Sequence, residues 1–342
     1  MKKLFVIVAI IFGAFIGRAS GTNAAGDTLT LAVYGDWPYS ATLLSEAPLL
    51  ISSINSDPDV GLVLHVGDIH SGSMPCSAAW NKGIFELFQQ FQDPLVYTPG
   101  DNEWADCQKP KESSSGYPLT ELANIRALFF ANPGHTLGMH PKRVLSQADV
   151  FRFGHQPDGQ YVENVLWKDS QVVFVTLNLP GSNNDTLPWN APFSNPAAQA
   201  EEVANRTAAD LHWLEIAFVW ARLVRAKAVL IGTQADMWDP AAAVPGGDGL
   251  GAYTPIVKKI ADRSVRFGRP VLLINGDSHV YGTDHPLADP SSPTGVIHGT
   301  QAVPNLTRIT VQGSTDAKEW LKLRINPRSP EVFGWQRIVY LP

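Results

Sequence analysis

Short apolar runs alternate with longer stretches of helical periodicity through most of this chain, the pattern of parallel strands joined by crossover helices. Six runs are predicted as strands: Thr28–Tyr34, Gly61–Val66, Leu95–Thr98, Gln171–Leu177, Ala228–Gly232 and Val271–Ile274. Most are rich in Val, Leu and Ile without polar alternation, so both faces of each are expected to be buried. Between them, helices are predicted over Ala41–Ile54, Ala78–Phe91, Leu119–Phe130, Ala197–Arg225 and Tyr253–Phe267. The fourth of these carries Trp213, Leu214, Ala217, Phe218 and Ala221 on one apolar stripe. After Ile297 the runs shorten to Thr307–Val311, Trp320–Ile325 and Trp335–Tyr340, which predicts antiparallel strands closing a second sheet. The stretches Pro180–Pro196 and Pro240–Gly251 read as long surface loops near the working edge.

The N-terminus follows a different pattern. Lys2 and Lys3 precede an apolar run from Leu4 to Ile16, and small residues follow at Ala19, Ser20, Gly21, Ala24 and Ala25. Residues 1–25 are therefore expected to be a secretory signal peptide, which places the remainder in the periplasm or outside the cell. No later stretch reaches the roughly 18 continuous apolar residues of a spanning helix. With 342 residues, 44% hydrophobic and 17% charged, the chain suits one large domain over 26–342, and its length also admits two.

Net charge changes the picture only by exclusion. Without Lys2, Lys3 and Arg18 the formal charge goes from -6 to about -9, and no basic cluster remains to track a nucleic-acid backbone. Cys76 and Cys107 are the two cysteines of the chain. In an oxidising compartment they read as a disulfide rather than a metal site, although two buried free thiols also fit the sequence.

The chemistry lies at the strand ends. "VYGDWP" puts Asp36 after the first strand, "HVGDIH" puts Asp68 after the second, and "TPGDNEW" puts Asp101, Asn102 and Glu103 after the third. "IGTQAD" adds Gln234 and Asp236, and "NGDSH" adds Asp277 and His279. In a parallel sheet such endings converge on one edge. A lone Gly-Asp after a strand is ordinarily a turn or a helix cap. Four together, with a histidine two residues past the last, make a carboxylate cluster that would repel itself unless cations sat within it. The oxygen-rich donor set suits Mn, Mg, Ca or Fe better than a closed zinc site.

In order and strand placement, over residues 28 to 285, these motifs resemble the calcineurin-like metallophosphoesterase superfamily. The resemblance implies an α/β fold, a two-sheet αββα sandwich, holding two divalent metals that activate water against phosphorus. Carried over residue by residue, it implies one metal at Asp36, Asp68 and His279 and another at Asp68, Asp101, Gln234 and Asp277. Several family histidines are absent. Pro38 stands at the first, Asn102 at the second, Gln234 at the third and Asp277 at the fourth. An amide cannot serve as a general acid, so Asn102 is expected to contact a phosphoryl oxygen, with Glu103 orienting it.

His70 and His285 stand just beyond ligand loops and are candidate replacements for the lost acid, though each also reads as an ordinary histidine. His65, inside a strand, reads as a core residue. Trp37, Trp104, Trp238 and Tyr281 follow site residues closely, either as walls for a leaving group or as packing that shields the loops. A bridge between Cys76 and Cys107 would tie the second and third ligand loops together. Asn184, Asn205 and Asn305 begin glycosylation sequons, which matter only in a suitable host.

The expected function is a secreted phosphoesterase acting on a small phosphate ester, a phosphomonoesterase by preference. The alternatives are a hydrolase of another ester or diester through the same metals, and a catalytically silent extracellular binding protein of the same fold.

Overall fold

The computed structural model describes residues 28–110, 116–150 and 156–340, so the expected signal peptide lies outside the described residues. In chain order the strands are β1 (Leu29–Tyr34), β2 (Val60–His65), β3 (Leu95–Tyr97), β4 (Leu145–Ser146), β5 (Val165–Asp169) and β6 (Val172–Thr176). They continue as β7 (Ala228–Gly232), β8 (Val271–Asn275), β9 (Gly282–Asp284), β10 (Leu306–Thr310), β11 (Glu319–Ile325) and β12 (Phe333–Val339). One sheet has the order β12-β11-β1-β2-β3 and the other β4-β5-β6-β7-β8-β10-β9. The main helices are α1 (Ala47–Asn55), α2 (Ala78–Phe88), α3 (Pro118–Phe129), α4 (Pro196–Leu223) and α5 (Thr254–Phe267).

Strand alternation produces the layers. Leu31, Val33, Leu62 and Leu64 of the first sheet meet Phe174, Leu230, Leu272 and Ile274 of the second in one buried cluster. Their neighbours along β1 and β2, Ala32, Tyr34 and Val63, point the other way and pack on Leu50 and Ile54 of α1 and Phe88 of α2. On the far side, Val229, Ile231, Val271 and Leu273 pack against Trp213 and Ala217 of α4 and Ile256 and Ile260 of α5. The central strands β1, β2, β7 and β8 are thus apolar on both faces, giving the expected αββα sandwich. A fully buried aliphatic side chain in these layers contributes roughly 1.5–3 kcal/mol of transfer free energy.

The C-terminal strands follow only in part the expectation of antiparallel strands closing a second sheet. β10 joins the second sheet parallel to β8, whereas β11 and β12 extend the first sheet, β11 lying antiparallel to β1. The β11 pairing depends on a partner nearly 300 residues away and the β10 pairing on one 35 residues upstream, neither of which local pattern reveals. β5 was not expected as a separate strand. It forms a hairpin with β6 through Ser170 and Gln171, both at positive φ (42° and 60°), and neither is the Gly or Asn that usually marks such a turn. The first predicted helix breaks at Glu46, where Pro48 starts a new first turn.

The ends of β1, β2 and β3 come from one sheet and those of β7 and β8 from the other. The residues after them meet across the seam: Gln234 Nε2 donates to Asp68 Oδ2 at 3.2 Å, and Asp277 N donates to Asp36 Oδ1 at 3.0 Å. The rim therefore straddles two sheets rather than following the edge of one. The cysteines are bonded, with Cα atoms 5.8 Å apart, and both sulfurs lie against the Asn102 carbonyl oxygen (3.4 and 3.6 Å). The bridge thereby holds the Asp68 and Asp101 loops together. No helix among the described residues is long and apolar enough to cross a membrane.

Candidate functional site

One ligand atom from each of Asp36, Asp68 and His279 lies within 4.8 Å of the others. His279 Nε2 is 3.5 Å from Asp36 Oδ1, and its side chain is 37% exposed, whereas both aspartates are buried. Two carboxylates and an imidazole converging from three loops fit a hard or borderline divalent cation.

The glycines before the aspartates make this convergence possible. A Cβ at Gly100 would stand 2.0 Å from Asp68 Oδ1, and one at Gly276 would stand 2.1 Å from Asp36 Oδ2. The missing side chain is space for another loop's carboxylate, and not only freedom to turn. Strain gathers on the same residues: Asp36, Asp68, Asp277 and His279 all have positive φ (47°, 59°, 71° and 64°). Non-glycine residues avoid that region, and where several share it the surrounding structure must hold them there.

Asp68 lies at the centre of a dense set of donors. Its Oδ2 accepts from Tyr39 Oη at 2.6 Å, Asn102 Nδ2 at 2.8 Å and Gln234 Nε2 at 3.2 Å, and its Oδ1 accepts from Asn102 N at 3.1 Å. Gln234 Nε2 also donates to Asp101 Oδ1 at 3.0 Å, while Gln234 Oε1 accepts from Gly181 N at 2.6 Å. Asp277 Oδ2 accepts from Asp236 N at 3.0 Å.

Burial followed by repulsion from Asp101, Glu103 and Asp36 holds the Asp68 carboxyl well above the usual carboxylate range. Burial, then Asp101 and Asp36, does the same to Asp277. Burial and Asp106 push Asp101 up to about 8, against the opposing charge of Lys109. Burial acts against protonation of His279, but the hydrogen bond and charge of Asp36 outweigh it and raise its pKa. The local potential is strongly negative, and positive charge is what would relieve it.

Other residues expected at the site stand elsewhere. Glu103 is fully buried, and its Oε1 accepts from Tyr97 Oη (2.5 Å), Gly100 N (2.8 Å) and Asp68 N (3.3 Å). It fixes the backbone beneath two ligand loops and does not orient the Asn102 side chain. His70 is buried with Nδ1 3.0 Å from the Ser71 carbonyl oxygen. His285 is turned to the Leu306 carbonyl at the start of β10 (3.0 Å). The antiparallel course of β9 carries the chain away from the rim before reaching it.

Trp37 is packed under the helical layer, and Trp104 lies beneath the Arg206 guanidinium, so both are buried and neither walls an open site. Trp238 is likewise buried, edge-on to His298. Tyr281 is half-buried, with Trp335 Nε1 on its hydroxyl at 3.1 Å and Arg337 over its ring. Burial drops the His65 pKa to about 3, and its Nδ1 accepts from Gly67 N, so it is the expected core histidine. Asn184 is buried with both side-chain polar atoms engaged by Arg206 and Thr207, which closes that sequon.

Sequence reasoning missed Tyr39, Ser182, Asp106 and Lys109. Tyr39 Oη, besides its bond to Asp68, lies 3.4 Å from Asp36 Oδ1 and 3.4 Å from His279 Nε2. Its place three residues after Asp36 was the available signal. Ser182 Oγ lies 3.2 Å from Asp101 Oδ2 and 2.8 Å from Asp106 Oδ1, and Lys109 Nζ reaches it at 3.0 Å. The stretch carrying Ser182 is buried at Gly181, Asn184 and Asp185, so it is part of the rim rather than a surface loop.

No curated protein sequence matches the chain. Among solved structures it is similar to a 5′-nucleotidase precursor from Thermus thermophilus (10% identity, 92% of this chain and 55% of that one, TM-score 0.44). It is also similar to a purple acid phosphatase from yellow lupin (Lupinus luteus) seeds (10% identity, 92% and 54% coverage, TM-score 0.41). A third is GAP50, the anchor in the inner membrane complex of Plasmodium (10% identity, 92% and 90% coverage, TM-score 0.40). The chain spans a little over half the length of the nucleotidase and the phosphatase. The family model described as calcineurin-like phosphoesterase matches residues 25–232, more than half of the 342 residues. The chain belongs to the calcineurin-like phosphoesterase family.

Proposed function

We propose that the chain is an exported, metal-dependent phosphomonoesterase that cleaves small phosphate esters at the Asp36, Asp68 and His279 cluster. The observation that carries this reading is the approach of those three ligand groups to within 4.8 Å at a rim where His279 is open to solvent. When bound, a divalent cation supplies Lewis acidity. The chain's residues do the rest. Asp36 and Asp68 hold the cation and balance its charge, and the Asn102 amide is a donor beside them that can turn to a phosphoryl oxygen. Glu103 keeps the Asp68 loop in register.

Among the described residues the cluster contains a single imidazole, His279. With Asn102 unable to protonate a leaving group, the reaction favours esters whose leaving group departs without help, such as aryl phosphates. The Cys76–Cys107 bridge supports an oxidising compartment.

The test strips the purified protein with chelator, restores Mn, Mg, Ca, Zn or Fe singly, and follows hydrolysis of an aryl phosphate across pH. Metal-restored turnover that disappears in Asp68→Ala is the expected result. A second reading, a silent binding protein, is favoured by the hydrogen bonds that tie Asn102 Nδ2 to Asp68 and Tyr39. Bound metal without turnover of any phosphate ester would select it.

A further inference from the structure

We propose that this chain holds one divalent cation, at Asp36, Asp68 and His279, and that protein groups fill the position of a second. The Gln234 amide and the turn Gly181–Asp185 are those groups. The inference rests on the metal-dependent reading above and deepens it.

The Gly181 N–H lies 2.6 Å from Gln234 Oε1 and can only donate, so it decides which end of the amide faces inward. The inward end is Nε2, 3.2 Å from Asp68 Oδ2 and 3.0 Å from Asp101 Oδ1. An NH2 group has two protons to give and no lone pair for a metal. It stands between the two carboxylates that a second cation would have to bridge, and it supplies the donors such a cation would otherwise replace.

The turn closes the remaining side. A Cβ on Gly181 would lie 2.7 Å from Asp277 Oδ1 and 2.9 Å from Asp101 Oδ2, so this backbone is already pressed against both acids. Ser182 Oγ reaches Asp101 Oδ2 at 3.2 Å, and Lys109 Nζ, 3.0 Å from that hydroxyl, brings a formal positive charge. Ser182, Asn183, Asn184 and Asp185 all have φ between 51° and 61°, a left-handed run that Asn and Asp tolerate best among residues with a side chain.

The turn is anchored at several points. Tyr253 Oη donates to Pro180 O at 3.0 Å, Ala252 N to Asn183 Oδ1 at 3.0 Å, and Gln199 Nε2 to Asp185 O at 2.7 Å. With Gln234 Oε1 and Asp101 both engaged in this way, the donor set expected for a second metal does not fit one.

The experiment loads the chelator-stripped full chain with Mn(II), removes free metal, and measures Mn per chain by mass spectrometry together with the electron paramagnetic resonance spectrum. One Mn per chain with the hyperfine pattern of an isolated ion is expected. Asp101→Asn and Gln234→Ala should keep that one ion, and Asp36→Asn should lose it. Two Mn per chain with an exchange-coupled spectrum overturns the inference. No bound Mn overturns both it and the metal site under the proposed function. One Mn without turnover of any ester sinks the phosphoesterase reading alone.

Discussion

Tyr39 Oη donates to Asp68 Oδ2 across 2.6 Å while its ring meets the His279 ring edge-on, centroids 5.1 Å apart. Burial and then the Asp68 and Asp36 charges hold the phenol well above its ordinary pKa, so it is a neutral donor at physiological pH. One side chain thus sets the orientation of two of the three groups proposed to hold a cation.

Tyr39→Phe keeps the ring contact and deletes the hydroxyl. Losing an orienting partner of this kind typically weakens metal affinity about 10- to 100-fold. Mn(II) titration of the variant should show that drop, with a change of about 1 kcal/mol or less in the stability of the metal-free protein. Equal Mn affinities would show that Tyr39 does not position the ligands.

The glycine positions give a test of close approach that needs no ligand. Gly100→Ala and Gly276→Ala each drive a Cβ to 2.0 and 2.1 Å from a buried carboxylate oxygen, far inside van der Waals contact, so a side chain or loop must shift. Overpacking of this kind costs roughly 1–3 kcal/mol. Gly83→Ala is the control, because its Cβ meets nothing within 4 Å and it lies inside α2, where Ala is the better helix former by about 1 kcal/mol. Urea melts should destabilise the first two and stabilise the third. Tolerance of alanine at both 100 and 276 would contradict the packing described for the rim.

Cys76 and Cys107 close a loop of 31 residues between two rim segments. Chain-entropy arguments assign about 3–4 kcal/mol to a loop of that length. Reductant should lower the urea midpoint accordingly and leave two titratable thiols. An unchanged midpoint, once free thiols have been confirmed, would mean that the bridge constrains nothing the native fold does not already fix.

Much of the sandwich was legible because its central strands are short apolar runs buried on both faces, and the Gly-Asp endings marked where four of them stop. The pairing of β11 with β1 was not legible, since Leu31 facing Leu323 is a contact across nearly the whole chain. Residue type also hid which atom of Gln234 faces Asp68. That choice is made by Gly181, 53 positions upstream. His285 reads as a neighbour of the His279 loop along the chain, yet three residues of antiparallel β9 carry it toward the opposite end of β10. Ser182 and Asp106 became visible only when a left-handed turn folded one loop onto another.

Asp185, in that same turn, gives a pH test free of the metal site. It is buried, its Oδ1 accepts from Trp189 Nε1 at 2.8 Å, and its Oδ2 has no hydrogen-bond partner among the described residues. Burial, opposed by the Trp189 hydrogen bond and reinforced by the Glu202 charge, pushes its pKa up to about 8. An unfolded aspartate titrates near 3.9, so between about 4 and 8 the native state binds the extra proton. The resulting stability is full below about pH 4 and is lost as pH rises through 8. Asp185→Asn removes the titration while keeping a polar group of the same shape. Relative to the parent, the variant should gain stability on going from pH 5 to pH 8.5, by on the order of a few kcal/mol at about 1.4 kcal/mol per unit. Parallel pH profiles for the two proteins, measured by urea unfolding without metal, would show that Asp185 titrates as an ordinary carboxylate and that the turn is open to water.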